Sequence, residues 1–199
     1  MKFLALCRQV LAVLLMFPGP ARAESPASDV CVYGGTAGGV AAAVQAARQG
    51  KSVILIEPGR HLGGMTSGGL GQTDIGNKDA IGGISREFYR RLGRHYGKEE
   101  AWTFEPGVAE RTLDEMAREA GVKIRFGEQL AKVKKRGAKI TELTMDNGNV
   151  IHARMFIDAT YEGDLLARAE VSFTVGREAN TRYHETLNGI RAATPKHQF

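Results

Sequence analysis

The chain has 199 residues, 43% apolar and 25% charged, with a formal net charge of +5. That composition suits a globular protein rather than a disordered or fibrous one, and the sequence shows no low-complexity tract and no internal repeat. Two cysteines are too few for an intrinsic iron–sulfur cluster or an all-cysteine zinc site, so no metal is expected.

Residues 1–23 read as an export signal. They have a basic start (Lys2, Arg8), an apolar run over 10–17, a Pro-Gly-Pro break and Ala21-Arg22-Ala23 as the cleavage pattern. The apolar run is shorter than the roughly 20 residues a bilayer span needs; an uncleaved anchor is the alternative. No arginine pair precedes the run, which points to the general export route, and Cys7 lies ahead of the apolar core rather than at a lipid-attachment position. Cleavage after Ala23 and a periplasmic or secreted protein without a stable membrane anchor are therefore expected. Cleavage removes Lys2, Arg8 and Arg22 and no acid, so the charge of +5 falls to +2. Nothing then favours a nucleic-acid or anionic-membrane partner. Cys31 becomes the only cysteine, which excludes an internal disulfide in spite of the oxidising compartment.

Residues 29–33 form a strand candidate that ends in glycines. Residues 37–49 are alanine-rich, with Val40 and Val44 four apart and Gly50 as the stop. Residues 52–56 are near-continuously apolar, as in a strand buried on both faces. Together they predict a βαβ unit. Residues 58–83 form a long glycine-rich segment without periodicity, of the kind that is usually functional or disordered. Helices are predicted over 85–96, with Phe88, Leu92 and Tyr96 on one face, and over 105–120, with Val108, Leu113 and Met116 toward the core. A strand over 122–126 follows, then three strands over 128–135, 139–145 and 150–157, turned at Arg136-Gly137 and Asp146-Asn147-Gly148. The last runs into "FIDATYEGDLLARA", a strand-to-helix passage. Alternating β and α elements with an inserted meander predict a doubly wound, Rossmann-like α/β domain with a parallel sheet.

Within the βαβ unit the spacing Gly34-x-Thr36-x-x-Gly39 places glycines where the backbone turns tightly, ahead of a helix N-terminus that offers N–H groups to a pyrophosphate. Glu57 follows Gly34 by 23 residues, near the roughly 20 at which a carboxylate meets an adenosine ribose. Such a carboxylate accepts from the 2′- and 3′-hydroxyls and repels a 2′-phosphate. Glycines serving only packing are the bland alternative. Thr36 stands where the common pattern has a second glycine, and its hydroxyl is expected to donate to a phosphate oxygen. The unit itself leaves NAD and FAD both open.

Four stretches bear on that choice: "VYGGTAGGVAAA", "GRHLGGMTSGGLGQTD", "FIDATYEGDLLA" and "VSFTVGREAN…YHETLNGI". With them the chain beyond residue 23 resembles the N-terminal part of the FAD-dependent oxidoreductases of the glutathione-reductase-like superfamily. The narrower likeness is to a bacterial family labelled FAD-dependent oxidoreductase or xanthan lyase, related to the flavin subunit of heterodisulfide reductases. The first and third stretches are superfamily-wide; the second and fourth are narrower. The resemblance implies that Gly34, Gly35, Thr36, Ala37, Gly38 and Gly39 face the FAD pyrophosphate and Glu57 the adenosine ribose. It implies Arg60, Gly63, Gly64 and Met65 along the pyrophosphate and ribityl chain, and Thr66 and Ser67 near the flavin ring. Leu130 would present backbone groups to the adenine, while Asp158, Ala159 and Thr160 would close over the cofactor. Small residues over 63–69 would let main chain lie against a flat ring, and a cation at Arg60 would offset phosphate charge.

The resemblance implies an exported oxidoreductase that passes hydride or electrons between an unknown small organic substrate and FAD. No residue is singled out as a catalytic acid or base. His61 beside the cofactor loop is open to covalent flavin attachment or proton transfer, and equally to being a solvated loop residue; His184 is a weaker candidate. Asp74 and Asp164 are explained as turn and cap residues, and Cys31 as a small core residue. In the resembled family the chain continues beyond the point at which this one stops, at "TPKHQF". Residues 24–199 are thus expected to be the N-terminal, incomplete part of an FAD-binding domain. The alternatives are an FAD-binding fragment without activity and an NAD-dependent dehydrogenase.

Overall fold

The computed structural model describes residues 28–174, 176–186 and 189. The expected export signal, the last residues and part of the fourth stretch lie outside them. Six strands form one sheet: β1 (Ser28–Tyr33), β2 (Val53–Glu57), β3 (Lys123–Phe126), β4 (Leu130–Arg136), β5 (Lys139–Met145) and β6 (Val150–Asp158). The helices are α1 (Ala37–Arg48), α2 (Gly83–His95), α3 (Pro106–Glu119) and the short α4 (Asp164–Arg168).

The strand order is β3-β2-β1-β6-β5-β4. The first four strands run parallel, with Cys31 beside Ile54 and Phe156; β4, β5 and β6 are antiparallel. β6 serves both arrangements. Its first residues, Val150 to His152, pair with β5, and the stretch from Ala153 to Asp158 pairs with β1.

Alternation along β1 and β2 divides the core in two. Val32, Val53 and Leu55 point into a cluster with Val40 and Val44 of α1, Phe88 and Leu92 of α2, and Leu113 and Met116 of α3. Cys31, Tyr33, Ile54 and Ile56 point the other way, against Leu130, Leu143, Met145 and Ile151 of the meander. Only one face of the sheet therefore carries the long helices. The meander, with α4, covers the other face and takes the place of the second helical layer that a doubly wound domain would have.

The predicted elements match the observed ones to within two residues at each end; the largest differences are at the starts of α2 and β4. The glycine-rich segment holds two single 3-10 turns, Gly64–Thr66 and Lys78–Ala80. It is tied down where Thr73 N–H donates to Trp102 O at 3.0 Å and Phe104 N–H to Gly71 O at 2.8 Å. No helix among the described residues is long and apolar enough to cross a membrane.

Candidate functional site

From β1 the chain leaves toward β2 on one side, while β6 lies on the other. At such a switch in strand order the connections diverge and leave a crevice outside the carboxyl ends of the strands. Three segments meet there: Gly34–Gly39 after β1, Gly63–Ser67 after β2, and Asp158–Thr160 after β6.

The first and third segments are fitted to each other. Gly34 has φ +105°, and a Cβ on it would lie 2.7 Å from the Ala159 carbonyl carbon. A Cβ on Gly39 would lie 2.0 Å from Gly34 O. No side chain fits at either place, so these glycines are demanded by the protein's own packing. Thr36 caps α1: its Oγ1 accepts from Gly39 N–H at 3.1 Å and donates to Ala159 O at 2.8 Å. A hydroxyl has one proton. The expected donation from Thr36 to a phosphate is thus replaced by a staple between two turns.

The second segment is joined to the first by Gly63 N–H donating to Gly35 O at 2.7 Å. A Cβ on Gly63 would meet Ser67 Oγ at 2.5 Å and Leu113 Cδ1 at 2.7 Å, so this glycine too answers to packing. The Ser67 hydroxyl is bonded to Leu62 O. Thr66 borders a mainly apolar cavity of about 80 Å³ shared with Ala37, Ala41, Ile84 and Phe88, far below the several hundred Å³ of a typical ligand pocket. Met65 is exposed, and its N–H donates to the Tyr161 hydroxyl at 2.8 Å. Sequence reasoning passed over Tyr161, although it stands inside the third quoted stretch.

Asp158 and Thr160 shape the third segment. Asp158 Oδ1 accepts from the Thr160 N–H and hydroxyl at 3.0 and 2.7 Å, and Oδ2 from Leu166 N–H at 2.8 Å. Thr160 Oγ1 in turn accepts from Asp164 N–H at 2.9 Å. Both side chains hold the turn and cap α4. Ala159 N–H donates to Tyr33 O at 2.8 Å, which continues the β1–β6 ladder into the turn.

Glu57 ends β2 with its carboxylate turned toward the glycine turn. Oε2 accepts from Gly35 N–H and Oε1 from Gly59 N–H, each at 2.6 Å. Each oxygen keeps a further lone pair. Arg60 is exposed and has no ion-pair partner among the described residues. His61 Nδ1 lies 2.9 Å from Glu110 Oε1 on α3, with its side chain 78% exposed; Glu110 is a partner that the sequence did not reveal. Leu130 differs from expectation in its N–H. It is buried, and its backbone N–H donates to Tyr33 Oη at 2.8 Å, so that N–H faces the protein and not an adenine. His184 is exposed, with φ +57°. Among the described residues no group of three metal-ligating side chains comes together.

A parallel sheet with a glycine turn, a free helix N-terminus and a carboxylate at the end of the next strand defines a dinucleotide-binding protein of the Rossmann type. The chain belongs to the FAD dependent oxidoreductase family, whose model matches residues 29–197, and the cofactor is FAD. In fold it is similar to L-proline dehydrogenase from P. horikoshii, at 15% identity and a TM-score of 0.56 over 76% of this chain and 58% of that one. It is also similar to a geranylgeranyl bacteriochlorophyll reductase-like protein from Thermoplasma acidophilum, at 23% identity and TM-score 0.54 over 73% of this chain and 42% of that one. THI4 from Thermovibrio ammonificans matches at 19% identity and TM-score 0.53 over 76% of this chain and 66% of that one. The chain thus spans little more than half the length of the proline dehydrogenase. No curated protein matches it.

The crevice fits the cofactor. Helix geometry leaves the Ala37 and Gly38 N–H groups without intrahelical acceptors. Gly38 is exposed, and a Cβ on it would meet nothing nearer than Thr36 Oγ1 at 3.8 Å. Unlike Gly34 and Gly39, this glycine answers to open space beside the helix end.

Proposed function

We propose that this chain is the cofactor-holding part of an exported FAD-dependent oxidoreductase acting on a small organic substrate. The observation that carries this reading is the meeting of three elements at the switch between β1 and β6. These are the open N-terminus of α1 at Gly38, the Glu57 carboxylate and the β6 turn at Asp158–Thr160. In this reading the N–H groups of Ala37 and Gly38 take the pyrophosphate at the positive end of the α1 dipole, and Arg60 offsets part of its charge. The unused lone pairs of Glu57 accept from the adenosine ribose hydroxyls, and its charge disfavours a 2′-phosphate. Gly35, Gly39, Gly63, Gly64 and Ser67 keep the crevice floor in shape, and Met65 and Thr66 border it. Asp158, Ala159 and Thr160 form its far wall. FAD, when bound, supplies hydride acceptance at its flavin N5 and onward electron transfer.

The test is an absorbance spectrum of the purified chain with and without added FAD, followed by acid release. Stoichiometric flavin that acid sets free supports the reading and leaves His61 with its Glu110 partner as a surface pair. Flavin that stays attached promotes His61 to a covalent link. A chain that takes up nicotinamide dinucleotide and no flavin overturns the reading. A second reading, a chain that holds FAD without turning over substrate, is favoured by the exposure of Leu70, Met155 and Phe173, apolar side chains that suit a docking surface. Flavin that binds but is reduced by no substrate would support it.

A further inference from the structure

We infer that Tyr161 is a cofactor-contact residue, an aromatic wall of the crevice against which the flat ring of the bound FAD lies. The inference rests on the FAD reading of the crevice and adds to it a residue that no motif assigns.

The Tyr161 ring is firmly held. The turn after β6 is fixed to the rest of the crevice by Thr36 Oγ1 on Ala159 O and by the fit of Gly34 against Ala159. From that turn Tyr161 reaches across to the second segment, where its hydroxyl accepts the Met65 N–H at 2.8 Å. A Cβ on Gly64 would lie 2.2 Å from Tyr161 Oη, 2.9 Å from Cζ and 3.0 Å from Cε2. Gly64 is thus the seat on which the phenol ring rests. The bonded hydroxyl and the glycine seat fix the Tyr161 side chain in place beside the crevice.

Despite that seat Tyr161 is 53% exposed, and Met65, whose N–H it accepts, is 58% exposed. The held phenol ring, left open to the crevice, offers a flat face to an aromatic ligand, and the exposed Met65 adds an adaptable apolar neighbour on the facing segment. Glu57 and the α1 N-terminus lie with the other two segments of the same crevice and suit the ligand's polar parts. Glu57 draws the adenosine to the end of β2, so an aromatic wall on the segment after β6 suits the dinucleotide's other flat ring, the isoalloxazine.

The ring and the hydroxyl have separable effects. Tyr161→Phe keeps the ring and loses the bond to Met65 N–H, Tyr161→Leu removes the ring, and Tyr161→Trp restores an electron-rich aromatic. An electron-rich phenol or indole in contact with a flavin quenches its emission, and a plain benzene ring does not. Full-length protein and each variant would be titrated with FAD, reading both affinity and the emission of flavin at saturation. Expected are weakly emitting flavin on the unsubstituted chain, several-fold brighter flavin on Tyr161→Phe, and renewed quenching on Tyr161→Trp. Tyr161→Leu is expected to bind FAD about 3- to 10-fold more weakly, as for loss of an aromatic stacking contact. Equal brightness in all variants that bind FAD overturns the inference and leaves the FAD reading standing. Failure of the unsubstituted chain to bind FAD overturns both. Circular dichroism of each variant separates loss of contact from loss of fold, and a Tyr161→Leu chain that is folded and binds with unchanged affinity also counts against the contact.

Discussion

At Thr36 a single hydroxyl serves two turns of the crevice. A small polar side chain where a second glycine is usual suggested a hydroxyl turned outward to a phosphate. Instead the hydroxyl turns inward, capping α1 at Gly39 N–H and holding Ala159 O. The capping role was legible, because a threonine ahead of an alanine-rich helix is a start signal. The staple was not, because the partner carbonyl is brought there only by the pairing of β1 with β6. Leu130 shows the same limit: its N–H is engaged by Tyr33, a partner far off in the chain. Thr36→Ala is expected to lower stability by about 1–2 kcal/mol and to weaken FAD binding, while Thr36→Ser, which keeps the hydroxyl, stays near the parent in both. Urea unfolding and FAD titration of the three proteins check this.

At the scale of elements, the helical layer is laced by charge. Arg48 of α1 meets Glu87 of α2 at 2.6 and 2.8 Å; Arg91 of α2 meets Glu87, and also Glu119 of α3, at distances down to 2.6 Å. The Arg48 guanidinium, with Arg91 behind it, holds the Glu87 carboxyl down at about 2, against an ordinary 4.5. A carboxyl whose pKa is lower in the folded chain than in the unfolded one stabilises the fold above the unfolded value. That contribution is lost as pH falls from about 4.5 toward about 2. Glu87→Gln is expected to cost about 1 kcal/mol at neutral pH, or about 2–4 °C in Tm, and to flatten the acid limb of the stability profile; thermal melts from pH 7 to pH 3 measure both. The elements themselves were readable from periodicity and from glycine stops such as Gly50 and Gly121. Their lacing was not, since a surface arginine in sequence has many carboxylates to choose among.

For the whole molecule, the parallel sheet, the βαβ unit and the inserted meander follow from the pattern of apolar residues. The three-layer arrangement does not. Nothing in β6 as a string of residues shows that its first part belongs to one pairing and its second to another, because both stretches are similarly apolar. Cys31, in the middle of β1, senses the integrity of this arrangement. It is fully buried, and burial pushes its thiol up to about 12. It is therefore expected to resist alkylation in native buffer and to react only as the sheet opens. Peptide mapping by mass spectrometry, which distinguishes Cys31 from Cys7, follows this across a denaturant series. Rapid native labelling of Cys31 would mean that β1 opens by itself. The double duty of β6 also sets an order in time. The helices with β1, β2 and β3 can gather from neighbouring parts of the chain, but Tyr33 must wait for Asp158, and distant pairings of this kind are slow to form. During synthesis the far wall of the crevice is therefore the last part to arrive, and cofactor offered earlier meets only half a berth.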